Sequence, residues 1–339
     1  MSGMMTVPRV RRSRRGMTLV EIMIALVLLG IISGVVMRVI MRQQRFYQGA
    51  NQIMTQRSQL RQATSVLPVD LRSLSSIGDD ILAVSDTSID FRMNVATGVI
   101  CDLLPGGAGF VLPPENLDGG QTLTSFFGYG YQQLKQGEGF EVFVYNDSNT
   151  VGNEEDAWKL YELDANVKAD NSYCPTSFAK VTDFGKARYE IKVSDPDGYT
   201  DPVTGGPVSQ YIQIGAPVRI VRKVRYALYK ESDGKWYLGY ANYNAGTSAW
   251  ETLAPVSGPY DPYSSSSGTP SGLGFKYYDV DGNEIASGAT QAQRQSIARI
   301  DLVARARTAT NVRTGGIQNG LDQQYKDSLA VSVMLRNRQ

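Results

Sequence analysis

The sequence predicts an α+β protein: a long N-terminal helix, part transmembrane and part amphipathic, packed on an antiparallel, β-rich C-terminal domain. Three observations carry this. Residues 17–37, MTLVEIMIALVLLGIISGVVM, are apolar apart from Glu21 and a few small polar residues. From 38 to 67 there is no proline and one glycine, Gly49, so nothing in the chain stops a helix. From about residue 80, short alternating runs separated by turn residues replace the helical pattern. Thirty-four glycines, and nineteen tyrosines against ten phenylalanines, fit a loop-rich sheet body.

The first element is a basic leader, residues 1–16, with Arg9, Arg11, Arg12, Arg14 and Arg15 and no acid. The apolar run behind it spans about 30 Å as a helix, the thickness of a bilayer's hydrocarbon core. Leader arginines place the N-terminus in the cytoplasm and everything after Met37 across the inner membrane, with the C-terminal domain periplasmic. A secretory signal peptide fits less well, because there the apolar region precedes the cleavage site. Here the small residue at the basic-to-apolar junction is Gly16. Cleavage after it makes Met17 the first residue of the mature chain and Glu21 the fifth. An ordinary signal anchor is the plainer alternative.

Arg15-Gly16-Met17-Thr18-Leu19-Val20-Glu21 resembles the signal of type IV prepilins and type II secretion pseudopilins, and with it the fold is expected to be pilin-like. The resemblance implies cleavage between Gly16 and Met17 by a prepilin peptidase and N-methylation of Met17, although the usual first mature residue is Phe. It also implies a role for Glu21. A carboxylate near the start of a membrane helix costs about 2–3 kcal/mol at the helix centre and persists where it finds a partner. The implied partner is the terminal amine of a neighbouring subunit, or Met17's own before assembly; a side chain snorkelling to the interface is the alternative. Gly30 and Gly34 form a GxxxG that lets helices approach closely in lipid. In pilin filaments the matching stretch often melts. Many pilins have a proline slightly further on, where this chain has Arg38.

The amphipathic half, residues 38–77, repeats Val39, Phe46, Ile53, Leu60, Leu67 and Leu74 every seven positions, with Ala50 and Leu71 between them. One such stripe followed by a β-rich body packs on a sheet more often than it forms a free coiled coil. Pro68 is expected to kink or end the helix, and Gly78-Asp79 to end it. The remainder, residues 78–339, reads as the β-rich domain. Strands are expected near 81–84, 88–92, 140–145, 157–163, 188–193, 218–229, 235–243, 275–278, 297–306 and 329–335. Residues 258–274, GPYDPYSSSSGTPSGLG, read as a polar surface loop. The second half, with VRYALYKESDGKWYLGYANYN, GLGFKYYDVDGNEI, IARIDLVARART and a closing LRN, is similar in order to PilW-type minor pilins and J-type pseudopilins.

Histidine is absent, which removes His-based acid–base and nucleophile chemistry and most zinc and iron sites. No catalytic spacing and no cofactor site stands out. Net charge is +1 and five arginines sit in the leader, so the remainder does not advertise a nucleic-acid partner. Cys101 and Cys174, read as those of an exported protein, are expected to form a disulfide closing roughly 70 residues. Asp279, Asp281 and Asn283 place oxygen ligands at alternate positions, a weak calcium pattern without a later bidentate acid; a hairpin turn is the alternative. Arg219, Arg222, Lys223 and Arg225 read as a solvated strand face without a paired aromatic platform, the alternative being contact with DNA phosphates. The expectation is a non-enzymatic subunit, a minor type IV pilin or a J-type pseudopilin, partnered by other pilins or pseudopilins through the helix, by prepilin peptidase and by an inner-membrane assembly platform. A signal-anchored periplasmic enzyme or adhesin is the reading from another class.

Overall fold

The computed structural model describes residues 16–105, 108–117, 120–146, 157–170, 174, 186–194, 212–264, 271–312 and 324–335. Residues 1–15 of the basic leader and the last four residues lie outside them. The chain divides into two compact units, Met1–Met54 with Ala309–Gln324, and Thr55–Thr308 with Tyr325–Gln339.

One helix, Leu19–Arg72, is 54 residues long. In the first unit its apolar side chains are exposed, from Leu19 at 74 % to Met41 at 41 %. In the second unit Gln56, Leu60, Ala63, Leu67 and Leu71 are buried, at the three- and four-residue spacing of one helix face. The seven-residue stripe is therefore two stripes. Leu60, Leu67 and Leu74 are core, while Val39 and Phe46 are exposed and Ile53 is half-buried. The helix also runs four residues past Pro68, whose ring is buried, and ends at Arg72 rather than near 77. The side chains beyond it explain the stop. Asp80 Oδ2 accepts from the Ser75 amide at 2.7 Å, and the Gly78 amide donates to Ser75 Oγ at 3.1 Å, so backbone donors that a helix would use are turned to side chains.

Among the described residues, 13 strands form one sheet and four form another, and all the strand pairs are antiparallel. The large sheet is organised by the 14-residue strand Pro217–Lys230. Ser88–Val99 lies along one side of it; Phe140–Asn146 and Trp236–Asn244 share the other. The path continues through Ala157–Leu163, Arg188–Ser194 and Gly109–Leu112. The small sheet orders Glu284–Ile285, Leu273–Tyr278, Arg299–Arg307 and Lys326–Met334. Residues 258–260 and 273–274, read from sequence as loop, belong to strands Ala254–Tyr260 and Leu273–Tyr278. Gly139 starts strand Phe140–Asn146 with φ +77°, and a Cβ there would stand 2.2 Å from the Tyr243 carbonyl oxygen.

The main core joins the helix leucines to Ile89, Phe91, Val224 and Tyr226 of the large sheet and to Leu273, Tyr277, Ile300 and Leu302 of the small one. A second core fills the far end of the large sheet with Val95, Ile100, Phe110, Val142, Tyr161 and Ile220. Two substitutions separate the two stripes. Leu67→Ala is expected to cost about 2–5 kcal/mol in chemical denaturation of the detergent-solubilised chain. Phe46→Ala should change it by less than about 0.5 kcal/mol. Equal losses at both positions would contradict the division.

Candidate functional site

The helix starts on a reciprocal cap. Glu21 Oε2 accepts from the Thr18 amide at 2.9 Å and from Thr18 Oγ1 at 3.0 Å, while the Glu21 amide donates to Thr18 Oγ1 at 3.3 Å. The T-x-x-E spacing makes this possible, because N-cap and N3 side chains reach each other's backbone donors. Gly16 and Met17 are exposed just ahead of the cap, Met17 at 72 %. Behind it the helix is long and apolar enough to cross a membrane, and that apolar stretch is unburied. A Cβ added at Gly30 or Gly34 would meet nothing within 4 Å, so among the described residues neither glycine has a packing reason within the chain. The helix runs through both without a break.

A basic, glycine-ended leader thus meets a capped carboxylate and an unburied apolar helix, and residues 11–37 match the prokaryotic N-terminal methylation motif. That match makes the N-terminal segment type IV prepilin-like. No curated protein and no solved structure matches the chain. The prepilin-like segment and the apolar helix, the single candidate span among the described residues, indicate membrane anchoring.

Beyond the prepilin-like segment, Cys101 and Cys174 are disulfide-bonded, with Cα atoms 5.6 Å apart across a separation of 73 residues. Both are fully buried beside Val111 and Leu117. The Asp279–Asn283 segment is a hairpin turn joining Leu273–Tyr278 to Glu284–Ile285. Asp279 Oδ1 accepts from the amides of Asp281 and Asn283 at 2.9 and 2.8 Å, and Oδ2 from Asn283 Nδ2 at 2.9 Å. The Asn283 side chain, then the loop amides, hold the Asp279 carboxyl below its ordinary pKa. Its oxygens are committed to the turn itself.

The basic strand corrects its sequence reading. Arg219 pairs with Asp80 at 2.8 Å, Lys223 with Glu141 at 2.8 Å and Arg225 with Asp90 at 2.6 Å, while Arg222 reaches Glu138 at 4.0 Å. Aromatic rings interleave: Arg219 lies over Phe143 and Trp158, Arg222 over Phe140, Lys223 over Tyr243 and Arg225 over Trp250. The cross-strand register sets Arg225 opposite Asp90 and Arg219 opposite Phe143. Burial pushes the Asp80 carboxyl above its ordinary pKa, opposed by Arg219 and the Ser75 amide. These cations are therefore spent inside the domain rather than presented as a solvated face.

Thr18 is the capping residue that the sequence reading passed over, although T-x-x-E was there to be read as a cap. Arg92 is the structural one. Its Nε donates to Glu141 Oε2 at 2.6 Å, with both side chains nearly buried. Glu141→Ala should leave that guanidinium only Asp79, deprive Lys223 of its partner and cost about 3–5 kcal/mol in urea denaturation, whereas Arg92→Met with Glu141→Leu should recover part of the loss. A double variant as damaged as the single one would contradict the pairing argument.

Proposed function

We propose that the chain is a minor type IV pilin. In this reading prepilin peptidase cleaves after Gly16, Met17 is N-methylated, and the subunit waits in the inner membrane with its β-rich domain periplasmic. It then enters the priming or tip complex of a pilus through its helix, bound to other pilins and handled by the assembly platform. It performs no catalysis. The observation that carries this is the methylation motif at residues 11–37, set on a helix whose apolar stretch is bare and whose first-turn acid, Glu21, is capped. The C-terminal patterns shared by PilW-type minor pilins and J-type pseudopilins support either apparatus. Deleting the gene separates them: loss of pili and motility marks the pilin, loss of protein secretion the pseudopilin.

Mass spectrometry of the membrane-extracted protein tests the processing step. A mature chain beginning at N-methyl-Met17 is expected; an intact leader, or a start beyond Met37, returns the protein to the class of signal-anchored enzymes and adhesins.

Glu21 tests the assembly step. Glu21→Ala and Glu21→Gln should both be inserted and folded, since the domain is built from other residues. Both should be depleted from sheared filaments, because an amide keeps the shape but not the attraction for a buried cation. Wild-type incorporation of Glu21→Gln would sink the ion-pair mechanism and leave the prepilin assignment standing.

A further inference from the structure

Just beyond the apolar run the helix carries Arg38, Arg42 and Arg45. At about 100° per residue the three project within roughly 60° of one another. All are exposed, and none has a partner among the described residues. The same face is covered further along, where Gly49 lies against Val312 and Thr310 Oγ1 donates to Gln52 Oε1 at 3.0 Å. It is bare at the arginines.

Their surroundings are those of a membrane boundary. Val39, Ile40 and Met41 are exposed apolar neighbours of Arg38, at 48, 42 and 41 %. Phe46 and Tyr47 follow, 69 and 66 % exposed, with ring centroids 6.2 Å apart; exposed aromatics of this kind settle at the headgroup level. If residues 17–37 fill the hydrocarbon core, Arg38 stands at its edge and Arg45 about 10 Å further out, near the outer limit of the headgroup layer. Helical side chains tilt toward the N-terminus, here back toward the bilayer. Three permanently charged guanidinium forks on one face, aimed at that layer, match phosphate oxygens.

We propose that Arg38, Arg42 and Arg45 form a binding face for the phosphate groups of anionic phospholipids at the C-terminal end of the span, with Phe46 and Tyr47 fixing its depth. The proposal rests on membrane anchoring and is independent of filament assembly. The full chain is inserted into nanodiscs of phosphatidylcholine with a minority of phosphatidylglycerol, and the lipids it retains are weighed by native mass spectrometry. The wild type should retain phosphatidylglycerol above its share of the disc. Each Arg→Gln change should lower that enrichment by up to about fivefold at low salt, less at physiological ionic strength. The triple Arg→Gln variant should retain lipids in the bulk ratio, and the triple Arg→Lys variant, which keeps the charge but loses the fork, should keep only part of the enrichment. Enrichment that is absent, or unchanged in triple Arg→Gln, overturns the proposal. If it is unchanged while triple Arg→Gln is excluded from filaments in cells, the arginines face carboxylates of a neighbouring subunit instead. A chain that never enters the discs overturns the membrane reading itself, which the disc fraction reports separately.

Discussion

The β-rich domain depends on one helix face. Leu60, Leu67 and Leu71, with Leu74 just past the helix end, are at most 2 % exposed and belong to a single cluster that draws residues from both sheets. The two sheets share no strand, so side-chain packing around this face does what a hydrogen-bonded ladder cannot. Polar ties hold the helix at both ends of the stripe. Gln56 Nε2 donates to the Ala306 carbonyl of the small sheet, and Tyr226 of the large sheet donates to Asp70 at 2.8 Å. Burial raises the pKa of both Asp70 and Tyr226, so it favours the neutral form of each partner in this bond. A one-residue slip of strand Pro217–Lys230 would turn Val224, Tyr226 and Leu228 away from the leucines and bring Lys223 and Arg225 toward them.

That consequence explains why the strand carries so many cations. Its alternation sets Val224, Tyr226 and Leu228 in the core and Lys223 and Arg225 on the opposite face. There Asp90 lies directly across from Arg225, and Glu141 takes both Arg92 and Lys223. Two cations on one carboxylate repay more desolvation than a single pair. The lattice also penalises the wrong register, since a shifted strand would bury unpaired charge.

Ordered alternation was the most legible signal. Strands Ile81–Val84 and Ala157–Leu163 have the bounds their apolar alternation suggests, and most of the other expected strands differ at their ends by a residue or two. Ser88–Val99 extends past Arg92, and its alternation breaks where its pairing with Pro217–Lys230 shifts register between Asn94 and Ala96. Ala254–Tyr260 was hidden by Pro255 and Pro259, which argue against a strand although an edge position accepts them. Helix Gln291–Gln295 was hidden by its length, though Thr290 and Gln293 spell its cap. Pro68 was misjudged because only one amide is lost there and burial of the ring compensates. At the candidate site, the glycine, the acid and the apolar span could be read in place, being contiguous. The charge lattice could not: Arg92 finds Glu141 49 residues away, Arg225 finds Asp90 135 away and Arg219 finds Asp80 139 away. Periodicity carries no information about such pairs.

The cap at the start of the helix bears on how a carboxylate waits in a membrane. Both Thr18 donors go to Glu21 Oε2, and among the described residues nothing donates to Oε1. The monomer therefore satisfies half of the group from within its own first turn, where the positive end of the helix dipole adds support. That reduces the cost of the carboxylate before any neighbour arrives. The cap also leaves one oxygen facing outward, so an ammonium from another subunit could be accepted without breaking it. Under the proposed function, Thr18 orients Glu21 in the waiting state and in the assembled one alike. Cleavage after Gly16 would preserve the arrangement, because the Thr18 amide and hydroxyl both lie on the mature side of that cut. The same short motif then serves as the helix's first cap and as the fixed half of its assembly contact.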